Sequence, residues 1–208
     1  MHDRYRKKKE QSVRIVAHFL NWMEKQRKRS LKYDPDNRHP AGAEVYREGV
    51  LWKNFFEELG FQCVFSPKSD RRILENGTGR AIDETCLPFK MYLGHVMELI
   101  GKCDVIFVPR MGGYLAKEKM CTRYEALPDL VRNIFREERV RILTVSYDWY
   151  DKTKEERVYQ ELGAELGKTK KEVKKAYAHA RKKQDAWLKG KEKAQTQLLE
   201  SKKMKILI

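Results

Sequence analysis

The stretch Cys103-Asp104-Val105-Ile106-Phe107-Val108-Pro109 decides the fold class of this chain. It is apolar at odd and even positions alike, and it is followed by Arg110 and the pair Gly112-Gly113. Such a run reads as a strand buried on both faces, the kind a parallel sheet contains. Phe61 to Ser66 upstream and Val140 to Ser146 downstream have the same character. Segments with the helical period lie before and between them. In Glu44 to Leu59, the residues Val45, Leu51, Trp52, Phe55, Phe56 and Leu59 share one side, and Gly60 supplies the stop. Pro88 to Ile100 and Arg123 to Glu138 follow suit. The alternation predicts an α/β fold, a parallel Rossmann-like sheet flanked by helices with right-handed crossovers.

Outward from this core the composition changes. Residues 1–38 carry 12 Lys and Arg against 5 Asp and Glu, and residues 152–208 carry 17 against 8, so residues 39–151 are close to neutral although the chain as a whole is +15. Counterion release on a nucleic acid needs cations clustered on the docking surface. Here they sit in the flanks, which argues against nucleic acid as a partner of the core. Residues 1–39 read as a basic helical leader, with Val13, Ile15, Val16, Phe19, Leu20 and Met23 in a loosely amphipathic pattern. Residues 40–151 read as the α/β domain. Residues 152–203 read as a basic helical hairpin arm or linker, in which Ala176, Ala180, Trp187, Leu188 and Leu198 suffice for docking but not for a core of their own. Met204 to Ile208 resembles an opening strand, either paired with the same sheet or starting a further domain. No apolar run approaches the roughly 20 residues of a membrane span, and no signal-peptide pattern follows the basic start, so the expectation is a cytoplasmic protein with no membrane partner.

The chemistry is sought among the cysteines. Cys63, Cys86, Cys103 and Cys121 include no CxxC pair, which excludes zinc-ribbon and ferredoxin spacings. Cys63 and Cys103 lie in apolar strand runs, where a free cysteine packs as a small hydrophobe. Cys86 precedes Leu87-Pro88 at a helix start and Cys121 precedes the helix beginning near Tyr124. A helix N-terminus favours the thiolate, the form that ligates metals. In an open α/β sheet both places fall beyond the carboxyl ends of the strands, where ligands collect. Spacing alone leaves open whether two loop cysteines 35 positions apart meet.

An ordered series of motifs adds to this reading. Leu51-Trp52-Lys53-Asn54-Phe55-Phe56-Glu57-Glu58-Leu59-Gly60, Ser66-Pro67-Lys68, Asp83-Glu84-Thr85-Cys86-Leu87-Pro88-Phe89-Lys90, Gly94-His95, Phe107-Val108-Pro109-Arg110, and Cys121 with Leu127-Pro128-Asp129 resemble the acyl-CoA dehydratase activase-related proteins. These are relatives of the 2-hydroxyacyl-CoA dehydratase and benzoyl-CoA reductase subunits, and the resemblance runs from about Pro40 to the last residue. It implies that Cys86 and Cys121 ligate a cubane iron–sulfur cluster, of the 4Fe-4S type, with a further ligand lying downstream of this chain. It implies electron transfer in an anaerobic, ATP-dependent reduction or dehydration of acyl-CoA substrates, with an ATP-dependent activase or other electron donor as partner and a homo-oligomer as a compatible state. It also implies that Met204 to Ile208 opens a second, truncated domain, and it leaves residues 1–39 without a counterpart for the family's first strand.

Other groups have bland counterparts. His95 either hydrogen-bonds near the cluster or packs in its helix, and Arg110 either offsets cluster charge or makes a surface salt bridge. Lys90 reads as solvated. Leu162 to Lys174 has a helix-turn-helix flavour and, with Lys175, Arg181, Lys182 and Lys183, could track phosphates, although a solvated hairpin is the plainer reading. The alternatives to a cluster protein are therefore a basic binding module for nucleic acid or an acidic protein, and an inactive fragment.

Overall fold

A computed structural model describes residues 14–17, 43–112, 121–138, 140–148 and 152–200. The rest of the leader, Pro40 and the Met204 to Ile208 segment lie outside the described residues. In chain order the elements are β1 (Arg14–Ala17), α1 (Ala43–Glu58), β2 (Gln62–Val64), α2 (Arg71–Thr78), α3 (Leu87–Leu99), β3 (Val105–Phe107), β4 (Arg110–Met111), α4 (Thr122–Glu125), α5 (Leu127–Ile134), β5 (Arg141–Leu143), β6 (Ser146–Tyr147), α6 (Lys152–Glu165) and α7 (Lys170–Glu200).

The three strands expected from the sequence form and are parallel, in a four-stranded sheet of order β2-β1-β3-β5. The fourth member corrects the reading of the leader as helical. Arg14 to Ala17 pairs with β2 on one side, Ile15 opposite Cys63, and with β3 on the other, Val16 opposite Ile106. A four-residue run is too short to declare its period. Two neighbouring ladders settle it as a strand, because backbone donors at the centre of a sheet must find acceptors.

Side chains of β3 alternate between faces, as the pleat requires. Val105 and Phe107 enter a core with Leu51, Trp52, Phe55 and Phe56 of α1, whereas Ile106 joins Val108 and Leu93, Val96 and Leu99 of α3 and Val131 of α5 in a second core. Helices thus cover both faces. Leu51, Phe55 and Phe56 are wholly buried, each contributing about 2 kcal/mol of burial. Gly60 ends α1 with φ +85°: Phe61 N donates to Phe56 O at 3.0 Å and Gly60 N to Glu57 O at 3.0 Å, the paired bonds that close a helix on a left-handed residue.

The hairpin of α6 and α7 forms, but it is no free arm. Tyr159 and Leu162 of α6 and Val173, Ala176 and Ala180 of α7 are buried in the same core as Trp52. Tyr159 stacks on Trp52 with ring centroids 4.8 Å apart. Gln184, fully buried, accepts a hydrogen bond from Leu51 N at 3.1 Å. Ala176 and Ala180, expected to dock the hairpin, are joined by Val173 and Gln184 on the same helical side, and because small residues allow two helices to pack closely the hairpin enters the main core. Beyond Gln184 the helix carries mostly exposed residues, Leu199 among them. Among the described residues no helix is long and apolar enough to cross a membrane.

Candidate functional site

The sheet order reverses between β1 and β3, and a crevice at the carboxyl ends is expected at such a point. The strands on the β3 side continue past the edge of the main sheet. Val108 N donates to Leu143 O at 2.8 Å and Arg110 N to Val145 O at 2.7 Å, after which β4 pairs with β6. Backbone donors alternate sides along a strand, so the position between them faces β1. That position is Pro109, which has no donor, two residues past the Ala17–Phe107 pair of the described β1–β3 ladder.

Both loop cysteines lie beside this end. Cys86 is the residue before α3, in extended conformation (φ −63°, ψ 150°), with Pro88 in the first turn. Its carbonyl accepts from Phe89 N and Lys90 N at 3.1 and 3.2 Å, while its thiol is exposed and makes no capping bond. Cys121 stands likewise before α4, exposed, its carbonyl accepting from Tyr124 N at 2.8 Å and Glu125 N at 3.1 Å. The two loops are joined by Arg123 of α4, whose Nη1 donates to Thr85 Oγ1 at 3.4 Å. Thr85 is buried and is the chain neighbour of Cys86. Arg123 and Thr85 carry this connection, and neither could be singled out from the sequence, where they stand 38 positions apart.

The other cysteines differ in setting. Cys63 is half-buried in β2 with Sγ 3.9 Å from Lys53 O. Burial pushes its thiol up to about 12. Cys103 is not within a strand but in the turn before β3, its Sγ donating to Leu99 O at 3.3 Å, and burial pushes its thiol up to about 11. The 13 residues of α3 separate it from Cys86, roughly 20 Å of helix.

Arg110 points to α4 and α5. Its Nη1 donates to Glu125 O at 2.9 Å and its Nη2 to the Asp129 carboxylate, which holds Asp129 below the usual carboxylate range. Arg110 thereby fastens the Cys121 helix to β4. His95 is buried on α3 and its Nε2 lies 2.9 Å from Ser69 Oγ, so it ties the loop after β2 to α3. Beside it, Gly94 meets α2 at a distance no other residue permits, since a Cβ there would lie 1.9 Å from Ile73 O, and one at Gly77 would lie 1.8 Å from Lys90 O. The Gly94-His95 pair is thus explained by packing and by a loop tether. Lys90 donates to Asp83 O at 2.9 Å and clasps the loop ahead of Cys86. Gly112 leaves room for Asp148, whose Oδ1 would be 1.9 Å from a Cβ at that position.

Among the described residues, no three His, Cys, Asp or Glu side chains cluster as metal ligands do. The family described as CoA enzyme activase uncharacterised domain matches residues 40–208. The chain belongs to that family. The match takes in α1 to α7 and the Met204 to Ile208 segment and leaves the inner strand β1 outside it, so an activase-related protein has the α6–α7 hairpin as part of its domain. No curated protein and no solved structure matches the chain.

Proposed function

We propose that this activase-family domain holds an iron–sulfur cluster, of the 4Fe-4S type, through Cys86 and Cys121. It would serve as the redox portion of a protein resembling the 2-hydroxyacyl-CoA dehydratase and benzoyl-CoA reductase subunits. The observation that carries this reading is the Arg123 to Thr85 bond, which joins the Cys86 loop to the Cys121 helix. Exposure of both thiols supports it, as do the raised thiols of Cys63 and Cys103, which leave those two unsuited to ligation. A parallel sheet with helices on both faces and a reversal of strand order is consistent with a Rossmann-like frame. A cubane cluster takes four ligands. Cys86 and Cys121 would furnish two of them.

When bound, the cluster supplies single-electron reduction at low potential. The chain's own residues present two exposed thiols at helix starts, keep the loops together through Arg123, and fix the Cys121 helix through Arg110. Electrons would arrive from an ATP-dependent activase or another low-potential donor, and a homo-oligomer is compatible with this arrangement. Anaerobic reconstitution with iron and sulfide tests the reading: broad charge-transfer absorption is expected, lost in Cys86→Ser and Cys121→Ser and retained in Cys63→Ser and Cys103→Ser. Equal absorption in all four variants defeats it.

A second reading draws on α7, where Lys171, Lys174 and Lys182 are exposed on the side away from the buried Val173, Ala176 and Ala180, with Lys170 and Lys183 exposed at its flanks. Such a face suits a polyanion. Steeply salt-dependent nucleic-acid affinity, lost on neutralising Lys170, Lys171 and Lys174, would favour that module over the cluster.

A further inference from the structure

We infer that Arg123 is a positioning residue that sets the spacing of Cys86 and Cys121, an inference that rests on the cluster reading. The loop ahead of Cys86 runs from Gly79, and Ile82, Asp83 and Glu84 within it are exposed, Ile82 to 78%. Burial is restored at Thr85, whose N–H donates to Ile82 O at 2.9 Å. The Thr85 hydroxyl is therefore a fixed point one residue from the cysteine. Arg123 reaches it from the first turn of α4, two residues after Cys121, while the other end of α4 is held by Arg110 through Glu125 O. The two arginines form a relay from β4 through α4 to the Cys86 loop: Arg110 fixes the helix and Arg123 carries its position across.

Arg123→Lys keeps the positive charge but loses the planar guanidinium that reaches Thr85, so it separates charge from geometry.

The test compares parent, Arg123→Leu, Arg123→Lys and Thr85→Val. In the metal-free protein, a short bifunctional thiol reagent should join Cys86 to Cys121 in good yield in the parent and poorly in all three variants. In the reconstituted protein, iron should leave to a chelator roughly tenfold faster in Arg123→Leu and Thr85→Val, the usual loss on removing a residue that supports a metal ligand. Thr85→Val removes only a hydroxyl, so it decides the matter if Arg123→Leu does not fold. Parent-like cross-linking in Thr85→Val overturns the inference whether or not a cluster forms. A parent that takes up no iron overturns the cluster reading alone, because cross-linking of the metal-free chain still reports on Arg123.

Discussion

At the scale of single residues, the four cysteines separate by solvation. Raising the Cys63 thiol from 9.0 to about 12 lowers its thiolate fraction near pH 8 by about a thousandfold, and the rise to about 11 lowers that of Cys103 by about a hundredfold. With a disulfide reagent at pH 8, Cys86 and Cys121 are expected to react promptly and Cys63 and Cys103 only on unfolding. Mass spectrometry of the labelled peptides checks this, and prompt labelling of Cys63 would contradict its burial. The same shifts carry a stability consequence with a definite sign. A thiol raised on folding stabilises the native state fully below its unfolded value and loses that contribution as pH climbs through the folded value, so the urea midpoint should fall between about pH 9 and pH 12. Separation into strand-run and helix-start cysteines was legible in the sequence. The displacement of Cys103 into a turn was not, because an apolar run does not mark where its ladder begins.

At the scale of elements, the decisive contact is between α2 and α3. The sequence signalled α3 through Pro88 and its apolar period, but α2 escaped notice: Arg71 to Thr78 holds only two apolar residues, and its start depends on the Asp70 side chain accepting from Ile73 N at 2.8 Å. Two glycines, Gly77 and Gly94, let the helices meet backbone to backbone. Gly94→Ala is expected to cost about 3 kcal/mol in urea unfolding, because the neighbour it would strike is a carbonyl that cannot rotate away. Since Cys86 sits at the start of α3, the variant should also reduce the cluster absorption. A midpoint within experimental error of the parent would show that α2 can move aside, and the packing account of Gly94 would fail.

At the scale of the whole molecule, the two faces of the sheet have different tasks. The α3 and α5 face carries the cysteine loops, and the opposite face, built by α1, α6 and α7, carries bulk stability through Trp52, Phe55 and Tyr159. Gln184 ties α7 to α1 by accepting from Leu51 N. Gln184→Leu should cost about 1–2 kcal/mol, the usual effect of withdrawing a buried acceptor, and leave reconstitution at Cys86 and Cys121 unchanged, because the two faces are separated by the sheet. Loss of cluster absorption in that variant without loss of secondary structure by circular dichroism would show the faces to be coupled.

Periodicity and turn chemistry by themselves determined α1, α3, the strands β2, β3 and β5, the stop at Gly60 and the division of the cysteines into two kinds, because each rests on interactions within a few residues of chain. Only the tertiary structure decided the rest. Arg14 to Ala17 became a strand because two ladders needed it. The hairpin joined the core because Ala176 and Ala180 allow close approach to α1. His95 and Arg110 took up structural ties because Ser69, Glu125 and Asp129 arrive from other elements. Arg123 met Thr85 because α3 and α4 start at the same end of the sheet. Each of these depends on partners distant in sequence, and no local pattern encodes which of them will meet.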